Sequence, residues 1–138
     1  MNNEFDQFLD EDGNIFFRPG TTLVDFVERN ARERADTLAY RFIDYSRERD
    51  GEAQDLTWAQ FGKRLRAVAA RLQQVTSRGD RVAILGFASV DYTVVDIALT
   101  QLGAVSVPLQ TSASVTALAP IIALTMALGC LIAIVWGR

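Results

Sequence analysis

The sequence contains no histidine among its 138 residues. This absence excludes Ser-His-Asp triads, histidine metal ligands and imidazole pH switches. The one cysteine, Cys130, cannot form an intramolecular disulfide, and its apolar neighbours favour a small buried thiol over a nucleophile. Nothing in the cysteine content therefore implies an oxidising compartment.

Charge is missing from one part of the chain. In total, 14 Lys and Arg stand against 17 Asp and Glu, for a net charge of −3, so no basic field draws the protein to nucleic acid. Residues 97–137 contain no charged residue. The acidic N-terminus lacks the basic and apolar regions of a signal peptide, so we expect a cytoplasmic N-terminal region.

The first half of the chain predicts two helices and a hairpin. Residues 1–20 resemble an arm, and Thr22 then caps an amphipathic helix. The segments "TLAYRFIDY" and "DLT" predict two strands joined by a turn at Asp50-Gly51, and Thr57 with Gln60 forms a capping box for a long second helix. The apolar residues expected inside are Leu23, Phe26, Val27 and Ala31 in the first helix, Leu38, Tyr40 and Phe42 in the strand, and Trp58, Phe61, Leu65, Val68, Leu72 and Val75 in the second helix.

The second half predicts a βαβ unit. "RVAILGF" has the continuous apolar character of a strand buried on both faces, and "AVSVPL" is a second such strand. Between them, Ser89 caps a helix that ends at Gly103. The crossover should be right-handed, and the chain should build an open α/β sheet. The helix residues expected inside are Val90, Val94, Ile97, Ala98 and Leu102.

No motif in the chain assigns a catalytic, cofactor-binding or metal-binding residue. "DEDGN" lacks the Gly and Glu of a calcium loop, Arg78-Gly79-Asp80 is an ordinary tight turn, and Gly86 has neither G-x-G-x-x-G nor a P-loop around it. Asp91 and Asp96 diverge by roughly 140° around their helix and are no acid and base pair. Other polar groups favour structural roles over the alternative of ligand binding. A loop leading to a helix cap is expected for Thr111, Ser112 and Ser114, and a solvated helix face is expected for Lys63, Arg64, Arg66 and Arg71.

Two stretches resemble known enzymes. "LAYRFIDYSRERDGEAQDLTWAQFGKRLRAVAARLQQVTSRGDRVAIL" resembles the start of fatty acyl-AMP ligases, with similarity over 5–85. "LGFASVDYTVVDIALTQLGAVSVPLQTSAS" is similar to the adenylation domain of carboxylic acid reductases over 80–118. Both groups belong to the AMP-forming acyl and aryl ligases, which join a carboxylic acid to the α-phosphate of ATP with Mg²⁺.

The resemblance carries over scaffold positions, Asp80, Gly103 and Pro108, and no catalytic residue. The phosphate loop, the adenine site and the mobile lysine domain of that family have no counterpart here. We therefore expect an α/β fold in which 21–116 is a partial N-terminal subdomain of the ligase, truncated and inactive alone. ATP, Mg²⁺ and a fatty or carboxylic acid are implied only for full-length relatives. Two alternatives are a non-enzymatic membrane-anchored module and a fragment of a carboxylic acid reductase.

The uncharged tail leaves two structures open. Residues 117–136 form an apolar segment of 20 residues, which as one helix spans about 30 Å, the thickness of a bilayer core. In the resembling enzymes the same place holds a helix and then a strand, which "VTALAPIIALTMAL" and "CLIAIVW" could supply. The first interpretation predicts a transmembrane anchor in a lipid bilayer, and the second predicts a further layer of the α/β fold.

Overall fold

The computed structural model describes residues 22–43, 53–127 and 130–135 of the chain. The N-terminal arm, with its "DEDGN" motif, and the turn at Asp50-Gly51 lie outside these ranges. The helices are α1 (Leu23–Glu33), α2 (Trp58–Leu72), α3 (Val90–Gln101) and α4 (Val115–Ala127). The strands are β1 (Leu38–Ile43), β2 (Ala53–Thr57), β3 (Arg81–Gly86), β4 (Val105–Leu109) and β5 (Cys130–Val135).

Strands β1 and β2 form the predicted antiparallel hairpin, with one irregularity. The register shifts between Leu38 and Tyr40, so the simple alternation of side chains fails at the start of β1. Tyr40 and Phe42 pack against the core as predicted, whereas Leu38 is 48% exposed. The predicted inward position of Leu38 is therefore wrong, because a bulge separates it from the face of Tyr40.

Helices α1 and α2 begin at the predicted caps. In α1, the Thr22 hydroxyl accepts from the Asp25 N–H at 3.2 Å, and the Asp25 carboxylate accepts from the Thr22 N–H at 2.8 Å. In α2, the Thr57 hydroxyl accepts from the Gln60 N–H, and Gln60 Oε1 accepts from the Thr57 N–H at 3.0 Å. Each box satisfies two backbone donors that a helix start leaves free.

One core lies between α1, α2 and α3. It contains most of the predicted inward residues. Contrary to prediction, Leu23 and Val75 are 51% and 58% exposed, and Phe26 is 36% exposed. The face of α1 that meets the core is centred on Val27, and Val75 lies beyond the end of α2 at Leu72. The buried members of this cluster are Val27, Leu56, Phe61, Leu65, Ala69, Val90, Val94, Ile97 and Ala98.

The second core belongs to a parallel sheet of strand order β4-β3-β5. The predicted βαβ unit is present as β3, α3 and β4, and α4 then crosses to β5 on the other side of β3. The two connections run in opposite directions from the sheet, so the right-handed crossovers that parallel strands favour are expected to place α3 and α4 on opposite faces. Val82 and Ile84 pack against Leu99, so α3 is buried on two sides, against the sheet and against α2.

The turn before β3 confirms the structural role expected for Arg78-Gly79-Asp80. Gly79 and Gly103 have φ values of 89° and 70°, which only glycine adopts without strain, and the Gly79 N–H donates to the Gly103 carbonyl at 2.9 Å. The Asp80 carboxylate accepts from the Ser77 N–H at 2.8 Å. The backbone carbonyl of Asp80 accepts from the Val105 N–H at 2.8 Å. These bonds join the start of β3 to the start of β4.

The prediction of a single transmembrane helix over 117–136 is wrong. Helix α4 ends at Ala127, and β5 pairs with β3 from Arg81↔Cys130 to Gly86↔Val135. The alternative of a helix followed by a strand is the one observed, because the second edge of β3 supplies hydrogen-bond partners for an extended apolar segment. Within the described ranges, no helix combines the length and the apolar character that crossing a bilayer requires.

Candidate functional site

The carboxyl ends of β3, β4 and β5 meet at one edge of the sheet. Since the chain leaves β3 toward β4 on one side and later returns to β5 on the other, the strand order reverses beside β3. In open α/β sheets, the crevice at such a reversal is where ligands bind. The topology therefore makes this edge the candidate site, with the loop after β3 at its centre.

The loop after β3 presents one aromatic ring to solvent and one capped helix start. Phe87 directly follows β3 and is 67% exposed. Ser89 ends the loop as N-cap of α3, as predicted, and its hydroxyl accepts from the Tyr92 N–H at 3.1 Å. An exposed ring beside a helix N-terminus suits a ligand with an apolar part and a negatively charged end. Nothing in the sequence pattern distinguished Phe87 from a strand residue.

The first turn of α3 also carries the two ionisable groups nearest this loop. Asp91 lies 3.6 Å from Arg64 of α2, and both side chains are more than half exposed. Burial, and to a lesser extent the charge of Asp96, raises the pKa of the Tyr92 hydroxyl above its usual value. Tyr92 is therefore neutral at physiological pH. Asp91 and Asp96 have different neighbours, as expected for residues that do not act as a pair.

A short hydrogen-bond relay connects the hairpin to the same loop. The Thr93 hydroxyl donates its one proton to the Ser89 carbonyl at 3.1 Å, so the Tyr40 hydroxyl donates to Thr93 Oγ1 at 3.2 Å. The Tyr40 ring also stacks on Phe61, with centroids 6.3 Å apart. The hairpin thus fixes the position of the α3 start.

The loop after β4 supplies the second wall of the edge. Thr111 and Ser112 are exposed there, and Ser114 caps α4 by accepting from the Ala117 N–H at 3.3 Å. The prediction of a loop leading to a helix cap is confirmed for Ser114. Pro108 occupies β4, an outer strand of this three-stranded sheet, where its missing N–H removes no bond to a central strand.

The four cations of α2 are exposed, as predicted for a solvated face. Arg66 forms an ion pair with Glu28 of α1 at 2.9 Å, and Arg64 forms the longer pair with Asp91. Lys63 and Arg71 have no ion pair within the described ranges. A stability role is therefore visible for Arg66 alone.

The described residues do not form a set that fits Mg²⁺. Within 22–43, 53–127 and 130–135, no three acidic or cysteine side chains come together as a metal site. The hydroxyls of Ser89 and Ser114 are occupied as helix caps. No step of a reaction is therefore assigned to these residues.

The fold is that of an α/β subdomain, and it resembles the N-terminal subdomain of adenylate-forming ligases. The chain belongs to the AMP-binding enzyme family, whose model matches residues 27–132. It is 57% identical over 99 residues to the long-chain-fatty-acid–AMP ligase FadD32 of Mycolicibacterium smegmatis, covering 72% of this chain and 16% of that protein. It is also 57% identical over 103 residues to the carboxylic acid reductase of Mycobacterium tuberculosis, covering 75% of this chain and 7% of that protein.

Solved structures match the fold. The fatty acid AMP ligase from Legionella pneumophila superimposes with a TM-score of 0.69 at 20% identity, over 83% of this chain and 19% of that one. The A-PCP didomain of carboxylic acid reductase from Segniliparus rugosus, solved with AMP, superimposes with a TM-score of 0.64 at 28% identity. The match covers 78% of this chain and 17% of that one. The chain thus spans about a sixth or less of the two sequence relatives and under a fifth of these two structures.

Proposed function

We propose that this chain is an N-terminal part of an enzyme that activates a carboxylic acid, in the first place a fatty acid, with ATP to an acyl-adenylate. The observation that carries the proposal is the 57% identity over 99 residues to a long-chain-fatty-acid–AMP ligase. The parallel sheet and its similarity to a fatty acid AMP ligase structure support it.

In this proposal the described residues support the fold and line one side of the ligand site, and they take no part in the chemical step. ATP and Mg²⁺ are the co-substrate and the ion of the complete reaction, and the acid is the substrate. Stabilising the charge that develops on a transferring phosphate requires donors arranged around it, and this chain offers no such set within its described part. The 138-residue chain should therefore be inactive alone.

The isolated chain gives the first test. Purified protein is incubated with ATP, Mg²⁺, radiolabelled pyrophosphate and a long-chain fatty acid, and label entering ATP is counted. We expect background exchange with the chain and clear exchange with intact FadD32 of Mycolicibacterium smegmatis as positive control. Pyrophosphate exchange that depends on the fatty acid would show that the 138-residue chain catalyses adenylation by itself, and the expectation of inactivity would be wrong.

A chimera tests the family role directly. Residues 1–118 of this chain replace the matching segment of the same FadD32, and acyl-AMP formation is measured. Because the aligned region is more than half identical, we expect a folded enzyme that retains activity within about tenfold, a loss of about 1.4 kcal/mol in transition-state stabilisation. A folded chimera that binds ATP but forms no acyl-adenylate would contradict the proposal.

A second candidate is a piece of a carboxylic acid reductase. It is favoured by the 57% identity to the Mycobacterium tuberculosis enzyme and by the 28% identity to the reductase didomain. The same segment exchanged into that reductase separates the two candidates. Higher retained adenylation in the ligase chimera favours the ligase, and higher retained adenylation in the reductase chimera favours the reductase.

A further inference from the structure

A groove between β2 and α2 brings several hydrogen-bond donors together on the hairpin side of the molecule. Its volume is about 540 Å³. Four of its lining residues belong to α2 and are spaced i, i+3, i+4 and i+7, which places them on one helix face. The lining consists of Asp55, Leu56, Gln60, Lys63, Arg64 and Ala67.

The groove is rich in donors. Gln60 uses its carbonyl oxygen to accept from the Thr57 N–H at 3.0 Å, so its NH₂ group is left to donate. Lys63 and Arg64 carry donors only. Helix α2 holds four cations and no carboxylate along its whole length, so nothing on the helix itself compensates the positive charge.

The carboxylate in the lining is already engaged from outside the groove. Arg41 of β1 donates two hydrogen bonds of 2.7 Å to Asp55, from Nε to Oδ1 and from Nη2 to Oδ2. The other nearby carboxylate, Asp91, is 3.6 Å from Arg64, and both side chains are more than half exposed. Such an exposed ion pair contributes little stability and holds the Arg64 side chain only weakly. The donors of Lys63 and Arg64 therefore remain available to a ligand.

Two apolar groups complete the lining. Leu56 is 5% exposed, and Ala67 closes the far end of the helix face. We propose that this groove binds an anion, a carboxylate or phosphate group on a small apolar body, with Gln60, Lys63 and Arg64 as its donors. The site lies beside the hairpin, between β2 and α2, and does not depend on the adenylation proposed above.

The test is a titration of the ¹⁵N-labelled 138-residue chain with two probes, hexanoate and phenyl phosphate. We expect saturable shifts of the backbone amides of Leu56, Gln60, Lys63 and Arg64 with at least one probe, at a dissociation constant of about 1 mM or lower. Saturation with hexanoate alone identifies a carboxylate ligand, and saturation with phenyl phosphate alone identifies a phosphate ligand.

Lys63→Ala removes one donor without touching an ion pair of the described residues, and it should weaken binding by about tenfold. Arg71→Ala is the matched control, since it removes the same charge from the same helix about 12 Å further along; it should weaken binding less than twofold. Circular dichroism checks that both variants fold. The proposal is overturned if neither probe saturates, or if Arg71→Ala weakens binding as much as Lys63→Ala.

Discussion

Replacing Gly62 with alanine should destabilise the protein, although the same change usually stabilises a helix. A Cβ at this position would lie 2.9 Å from the Ala31 Cβ of α1 and 3.3 Å from Arg66 Nη1. Carbon atoms pack at about 3.5–4.0 Å, so α1 and α2 would have to separate by roughly 1 Å. Helix propensity contributes about 1 kcal/mol in favour of alanine, and overpacking costs about 1–3 kcal/mol. We expect the free energy of unfolding to fall by about 1 kcal/mol.

Urea denaturation followed by far-ultraviolet circular dichroism measures this free energy. Ala31→Gly removes the opposing methyl group, so the double variant Ala31→Gly/Gly62→Ala should lie close to the wild type and show a coupling of about 1–2 kcal/mol. Ala70→Gly, at an exposed position of α2, controls for propensity and should cost about 1 kcal/mol. A rise of about 1 kcal/mol for Gly62→Ala alone would refute the close approach of the two helices.

Three further perturbations test the core, a cap and an ion pair. Leu65 is fully buried, so Leu65→Ala should lower the free energy of unfolding by about 2–5 kcal/mol in the same assay. Thr57→Ala removes the capping box of α2 and should cost about 1 kcal/mol, whereas retained stability would mean that the box is not formed. The hydrogen bonds from Arg41 hold the pKa of Asp55 below its usual 3.8. The stability that these hydrogen bonds contribute is therefore fully present above pH 3.8, the pKa of the unfolded state. It is lost as the pH falls through the lower pKa of Asp55 in the folded state. Urea midpoints between pH 5 and pH 2 should consequently fall less steeply for Asp55→Asn, and an unchanged slope would contradict this.

Local signals predicted the elements of this fold well. The helix caps at Thr22 and Thr57 and the strands β3 and β4 each depend on residues close together in the sequence, and each is observed. The predicted burial of β4 on both faces is wrong, because β4 is an outer strand of the sheet and Val105 is 48% exposed. Contacts across elements were harder to predict. The bulge beside Leu38 shifts the hairpin register, and the approach of Gly62 to Ala31 depends on how two helices cross.

The tail shows why the apolar pattern alone was insufficient. A run without charge suits a bilayer, a buried helix or a strand covered on both faces, and hydropathy does not separate these environments. The choice between these environments is decided by the edge of β3 that β4 leaves unpaired, because β5 pairs with that edge. The candidate site was equally dependent on topology, because Phe87 and Ser89 gain their significance from the strand order and from no motif of their own.

The position of β5 beside β3 is the claim on which both the fold and the edge site depend. Nuclear Overhauser effects in the isotope-labelled chain test it most directly. We predict cross-strand contacts from Ala83 to Val107 on one side and to Ile132 on the other, as the parallel register requires. Sequential helical contacts running without a break from 117 to 136, with none between Ala83 and Ile132, would contradict it.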